Sequence, residues 1–266
     1  MPPDTSASEQ GPGSGVVKRE SFVEQVTVKQ VRRFLDPTRM INRLEYSFLA
    51  NWLPQDIKGY THTLRPWIAL GNRHAVSVRI PYSHFSIPDT DGPSGFGDVR
   101  FSWGFIIREK LRSRVTTLAG GLGLLLPTGD HAKGTGFDTW VVSPAVLLAT
   151  NPTNLFPVNL IVRYRHSLGA KGGSETAGLQ VSLMEISLQT FHILPRGFYL
   201  AFLPSYIWDL EQEFDVFSFG LGIGRALNRQ LAFDIAYVEH IFGQETFIRG
   251  VQFGLKILWG RDHGRP

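Results

Sequence analysis

Cysteine is absent from the chain, so neither a disulfide nor a thiolate-bound metal contributes to its stability or chemistry. No stretch approaches the about 18 consecutive apolar positions that a membrane-spanning helix requires, which excludes a helical anchor. The eight histidines are scattered without ligand spacing, and no helical pattern follows the short Gly-x-Gly runs, so neither a metal site nor a cofactor is expected. Clustered basic residues are missing too. Although the formal net charge is +4 and the pI about 9.4, the cations fall singly along the chain, which does not suit nucleic acid. Met1 to Gly15, rich in Pro, Ser and Gly, lacks the apolar core of an export signal. A membrane location then requires that the signal has been removed or replaced, or that the start is misassigned; the segment itself is expected to be a flexible tail.

What the chain has in abundance is alternation. Across Gly97 to Leu148, Val99, Phe101, Trp103, Phe105 and Ile107 share one face of a period-two pattern, with Asp98, Arg100, Ser102, Gly104 and Arg108 on the other. Leu118, Leu122, Leu124 and Leu126 then oppose Thr117, Ala119, Gly121 and Gly123, and Trp140, Val142, Pro144, Val146 and Leu148 oppose Thr139, Ser143 and Ala145. Strands in soluble proteins average about five or six residues. A tilted strand crossing a bilayer needs about nine to eleven, and these segments run to the longer figure. A soluble sandwich of such strands would have to bury every apolar face between two sheets. A barrel in lipid turns those faces outward and keeps the polar face for its lumen. The 28 glycines and 12% aromatic content suit such a chain, with its many turns and interfacial rings.

The pattern recurs from Arg43 onward and yields about twelve strands, an even number as in single-chain bacterial outer-membrane barrels. One bulge is expected near Leu183, to reconcile the face of Leu179, Val181 and Leu183 with that of Met184, Ile186 and Leu188. Connections at Gly71 to Arg73, Glu109 to Arg112, Asn151 to Asn154, Pro195 to Gly197 and Asn228 to Gln230 are short, and most others are long, such as Leu168 to Gly178. Periplasmic turns and outer loops differ in that way. Trp52, Tyr82, Trp140, Tyr164, Trp208 and Tyr237 fall near one set of strand ends and Phe156, Phe198 and Trp259 near the other, forming two girdles. The expected fold class is therefore all-β: a closed antiparallel transmembrane β-barrel of about twelve strands over residues 41–260, with a flexible tail at 1–40 and a short one at 261–266. Val16 to Leu35 fits either a plug inside the barrel or, preferred on this pattern, a periplasmic tail with Lys29, Arg32 and Arg33 near lipid headgroups.

The inner face carries Arg43, Arg65, Arg79, Arg100, Arg108, Arg163, Arg165 and Lys256 against Glu45, Asp98, Glu185 and Asp234, with His240 on the same face as Asp234. These residues either make a cationic lumen that favours anions or electron-rich aromatic solutes, led by Arg79, Arg100 and Arg163, or brace the wall through ion pairs. Inward glycines at 121, 123, 220, 222 and 224 either leave room for a ligand or accommodate bulky neighbours. No catalytic residue is assigned. A lipid hydrolase would rest on His84 and Ser86, two apart on the outward side at the rim, but no Asn or Asp is placed to orient the histidine. A purely structural barrel is a further alternative.

Three motifs carry a family resemblance: Ser94-Gly95-Phe96-Gly97-Asp98-Val99 before one strand, Leu126-Pro127-Thr128-Gly129-Asp130 after the next, and Gly134 to Ser143 opening a third. Over roughly Gly95 to Gly169 the chain resembles the outer-membrane family named for the meta-pathway of phenol degradation. The resemblance implies a non-enzymatic, transporter-like barrel in the outer membrane of a Gram-negative bacterium. Its partners would be outer-membrane lipid and small hydrophobic or aromatic solutes.

Overall fold

The computed structural model describes residues 28–90, 92–109, 116–170, 180–211, 214–243 and 249–260. Their strands are β1 (Asn42–Trp52), β2 (Lys58–Leu70), β3 (His74–Ser86), β4 (Ser94–Phe96), β5 (Val99–Arg108), β6 (Thr116–Leu126) and β7 (Thr139–Thr153). There follow β8 (Phe156–Ala170), β9 (Ser182–Ile193), β10 (Phe198–Phe202), β11 (Ser205–Asp209), β12 (Asp215–Ala226), β13 (Leu231–Gly243) and β14 (Arg249–Trp259). Short β4 adds only to the far end of β3, and β10 and β11 are two halves of one wall strand broken at Leu203 and Pro204, so the wall has twelve antiparallel strands. β14 closes the ring on β1, from Asn42↔Trp259 to Trp52↔Arg249. The break is sealed: Leu203 and Gly220 exchange backbone hydrogen bonds of 2.9 and 3.0 Å, and the Leu188 N–H donates to Pro204 O at 3.0 Å. No open edge faces lipid there, as an apolar surrounding demands.

The side chains follow the pleat. Phe101, Leu122 and Val146 are 45–50% exposed, while Ser77, Thr117, Ser143 and Asn159, on the alternate phase, are buried. A sandwich would show the reverse. The expected bulge near Leu183 is absent: β9 starts at Ser182 and pairs with β8 through Arg165↔Leu183 and Arg163↔Glu185 without a break in register. Leu183 is simply an apolar residue on the inner phase, and Leu179 lies outside the described residues. Register shifts occur instead at Ile106/Arg108, Trp140/Val141, Thr150/Thr153 and Phe217/Ser218. The first pairs inward Ile106 with Ala119 and then Arg108 with Leu118, which moves Arg108 off the lumen face expected for it.

Short connections β2–β3, β7–β8, β9–β10 and β12–β13 share one rim with the first residue of β1 and the last of β14. In outer-membrane barrels that is the periplasmic rim. Part of the expected turn at Glu109 to Arg112, part of the loop at Leu168 to Gly178, and residues 1–27 and 261–266 lie outside the described residues.

Where alternation favours a periplasmic tail, residues 28–35 form a helix within the barrel. Val28, Val31, Phe34 and Leu35, at helical spacing, make one apolar stripe. It packs on Phe191, Ile193, Tyr199, Ala201, Ala226, Ala232 and Leu258, inward residues near the short-turn rim. Burying each such side chain contributes about 1.5–3 kcal/mol. The helix stops because Asp36 precedes Pro37, and a residue before proline is pushed out of helical geometry. Asp36 then turns the chain, its Oδ1 accepting from Thr38 N (2.9 Å) and Thr38 Oγ1 (2.6 Å). Asn159 Nδ2 donates to Leu35 O at 3.2 Å, and Arg32 Nη2 donates to Thr153 O (3.3 Å) and Asn154 Oδ1 (3.1 Å). Arg32 thus bonds the β7–β8 turn, not lipid. Burial, and secondarily Arg39, lower its pKa from the ordinary value against the opposite pull of Asp36, and a guanidinium so shifted remains charged.

Candidate functional site

Above this plug the lumen holds a cavity of about 450 Å3, a size typical of small-molecule pockets. Its charged lining is Arg43, Arg65, Arg79, Arg100, Arg163 and Lys256 against Glu45 alone. Period two places them, since each occupies the inner phase of its strand. Glu45 sits opposite both Arg65 on β2 and Lys256 on β14. Its carboxylate is 3.0 Å from Arg43 Nε and 3.8 Å from Arg65 Nη1, and accepts from Trp67 Nε1 at 3.3 Å. The Arg43 and Arg65 guanidiniums both stack on Trp67, 4.3 Å from its ring centre.

A second cluster stands on β8 and β9, where Glu185 accepts from Arg163 (3.0 Å), from Arg165 and from Ser187 (2.9 Å). A third joins Lys256 to Asp234 at 3.1 Å, with buried Tyr199 donating to the same carboxylate. Asp98 serves another purpose. Its oxygens accept from the backbone N–H groups of Gly129 and Phe137, both at 2.8 Å, which pins the β6–β7 loop. Thr128 Oγ1 adds a bond to Gly97 O and accepts from Val99 N. The turn residues that carry the family resemblance therefore meet in one latch, with Gly129 and Gly136 packed so closely that a Cβ on either would lie 2.6–2.7 Å from backbone. Removing the carboxylate leaves two donors unsatisfied at about 1–3 kcal/mol each. Asp98→Ala should accordingly speed tryptic cleavage after Lys133 in the assembled barrel; an unchanged rate would contradict the latch.

Among the described residues, seven inward cations (Arg43, Arg65, Arg79, Arg100, Arg163, Arg165 and Lys256) stand in or beside the cavity with the carboxylates Glu45, Glu185 and Asp234, while inward Asp98 and Asp209 lie toward the rim opposite the short turns. Arg79 and Arg100 have no carboxylate among the described residues. They are nevertheless register partners across β3 and β5, and among the described residues Arg100 Nη2 donates to Ser143 Oγ at 3.2 Å. His240 lies on β13 at the bulge, opposite Ser218, away from the cavity. The inward glycines divide: Gly224 accommodates the Tyr199 ring, whereas Gly121 and Gly123 line the cavity. On the outer face His84 stacks on Tyr60 (6.3 Å, 16°), and no hydrogen bond joins it to Ser86. Alternation located most of these residues. What it missed are Phe34 and Leu35 of the plug, for which the 28–31–34–35 spacing was the available signal, and Met40 just before β1, all of which floor the cavity.

A closed twelve-stranded antiparallel barrel, apolar outside and charged within, has the architecture of a transmembrane β-barrel. The chain is similar in structure to the COG4313 outer membrane channel from Pseudomonas putida F1, at 13% identity over 82% of this chain and 94% of that one, with a TM-score of 0.66. The KdgM porin aligns at 8% identity over 82% and 99% (TM-score 0.58), and the NanC porin at 9% over 83% and 100% (0.56). No family model matches the chain, and no curated protein does.

Proposed function

We propose that the protein is a channel that carries small solutes across the outer membrane and favours anions, with small aromatic or hydrophobic compounds bearing a negative charge as its cargo. The observation that carries this reading is the pair Arg79 and Arg100. Braced walls place a carboxylate opposite each cation, as at Glu45–Arg65 and Arg163–Glu185, whereas these two arginines face each other across neighbouring strands. Like charges directly opposite destabilise a sheet, so their use belongs to what passes. A barrel of about eight strands is filled by side chains and one of 16 to 18 is an open channel, so twelve gives a narrow passage where such charges are little diluted by water. Guanidinium groups pair with carboxylates and stack on rings, which suits aromatic acids through both contacts. In reconstituted vesicles benzoate should enter several-fold faster than benzylammonium, and Arg79→Gln, Arg100→Gln and Arg163→Gln combined should abolish the difference. Equal entry of both solutes into vesicles bearing the parent protein would overturn the reading.

A further inference from the structure

We infer that the cavity is a binding site for a small amphipathic monocarboxylate whose anionic end rests on Arg79 and Arg100 and whose hydrocarbon end rests on the plug, so that the ligand holds the plug in place. This deepens the channel reading and rests on it.

Two independent features define the site. At one end stand two guanidiniums with no carboxylate partner among the described residues, Arg100 being fixed by Ser143 at 3.2 Å. Adjacent planar donor groups suit a carboxylate, which accepts up to four hydrogen bonds on its two oxygens. At the other end the floor is apolar and belongs to a different part of the chain. Phe34 and Leu35 of the plug, and Met40 of the segment that joins it to β1, line the same cavity, Phe34 and Leu35 in the cluster that contains Phe191 and Met40 in that of Ala75 and Ile106, with Trp67 packed against it. Ala75, in contact with Met40, precedes Arg79 by four positions on β3, about 13 Å along a strand. The Arg79 side chain extends from one end of that span, and the part it leaves is short, as suits a compact acid of a few carbons more than acetate. A simple inorganic anion would satisfy the arginines and leave the apolar floor unused; a neutral hydrocarbon would leave both guanidiniums unmet. Only a molecule with both ends meets both walls.

The coupling follows from the covalent order of the chain. Since Phe34 and Leu35 are plug residues, a ligand that touches them binds the seated plug and not the displaced one. It must stabilise the seated form by its differential affinity for the two.

The test uses hexanoate, acetate, hexylamine and hexanol with the full-length protein in detergent micelles. Calorimetry should show hexanoate binding at least about tenfold more tightly than acetate or hexanol, the order expected when either a charge-assisted contact or an apolar surface is lost. Hexylamine should not bind. Arg79→Gln with Arg100→Gln should weaken hexanoate to the level of hexanol, and Arg79→Lys with Arg100→Lys should restore part of the loss. In hydrogen exchange on the unmodified protein, hexanoate but not acetate should slow the backbone amides of residues 28–41. Equal affinities for hexanoate and acetate, or plug exchange indifferent to hexanoate, would overturn the inference, and both are read on the unmodified protein, whether or not the variants fold. Binding with plug protection but without solute flux in vesicles would instead remove the channel reading and leave the site standing.

Discussion

Phe34→Ala combined with Leu35→Ala should raise the single-channel conductance of the reconstituted protein several-fold. Truncations of buried Phe and Leu cost about 3–5 and 2–5 kcal/mol respectively, and here the loss falls on one small element. The helix over residues 28–35 is held by a single apolar cluster and by the bonds from Arg32 and Asn159. The wall is held separately, by a closed ladder that includes neither residue. The truncation therefore weakens the plug's seat without opening the barrel, and the lumen it occupies near the short-turn rim becomes free to conduct. Single-channel recording in planar bilayers checks this. Conductance equal to the parent's, in a barrel that still migrates as the heat-modifiable form, would show that the plug does not limit passage.

Arginine on the lipid face should produce the largest loss of stability. Leu122→Arg or Val146→Arg places a charge on an outward, 45–50% exposed position midway along a wall strand, at a cost of about 2–4 kcal/mol near the bilayer midplane. That is roughly a 30- to 1000-fold shift in the folding equilibrium. Ser102→Arg, on the cavity side of β5, is the control and should lose much less. Gly254 is unsuitable for that purpose although it shares the inner phase, because a Cβ there would run into the Asp234 carboxylate. Refolding into lipid vesicles under urea measures all three, and equal losses would mean that the inner and outer phases have been exchanged.

Most of the wall is legible in the sequence because lipid enforces a strict rule, one apolar face on every strand, and that rule leaves a period of two. Phe101, Leu122 and Val146 announce themselves in this way, and so do Arg79, Arg100 and Arg163 between them. Departures arise where a residue obeys something other than lipid. Leu183 is apolar but inward, so it imitates a change of phase. Arg108 is displaced by the extra residue at Ile107, which alternation alone does not reveal. Asp98 sits on the inner phase yet spends its charge on two backbone donors, a use decided by where the β6–β7 loop folds back rather than by strand periodicity. For the plug, the sequence left two readings open and favoured the other one. Val28, Val31, Phe34 and Leu35 do form a helical stripe, but it is short among the described residues and interleaved with Lys29, Arg32 and Arg33, so it does not decide between lipid headgroups and the inside of a barrel as its partner.

Lumen charge is the feature on which the proposed function turns, and zero-current potential across a planar bilayer with a steep KCl gradient reads it most directly. A cavity whose described lining holds six cations and one carboxylate, with Arg79 and Arg100 unmatched among the described residues, requires a potential of the sign set by chloride, which Arg79→Gln with Arg100→Gln should move toward zero. A potential of zero, or one of the sign set by potassium, in the unmodified protein would contradict an anion-favouring channel.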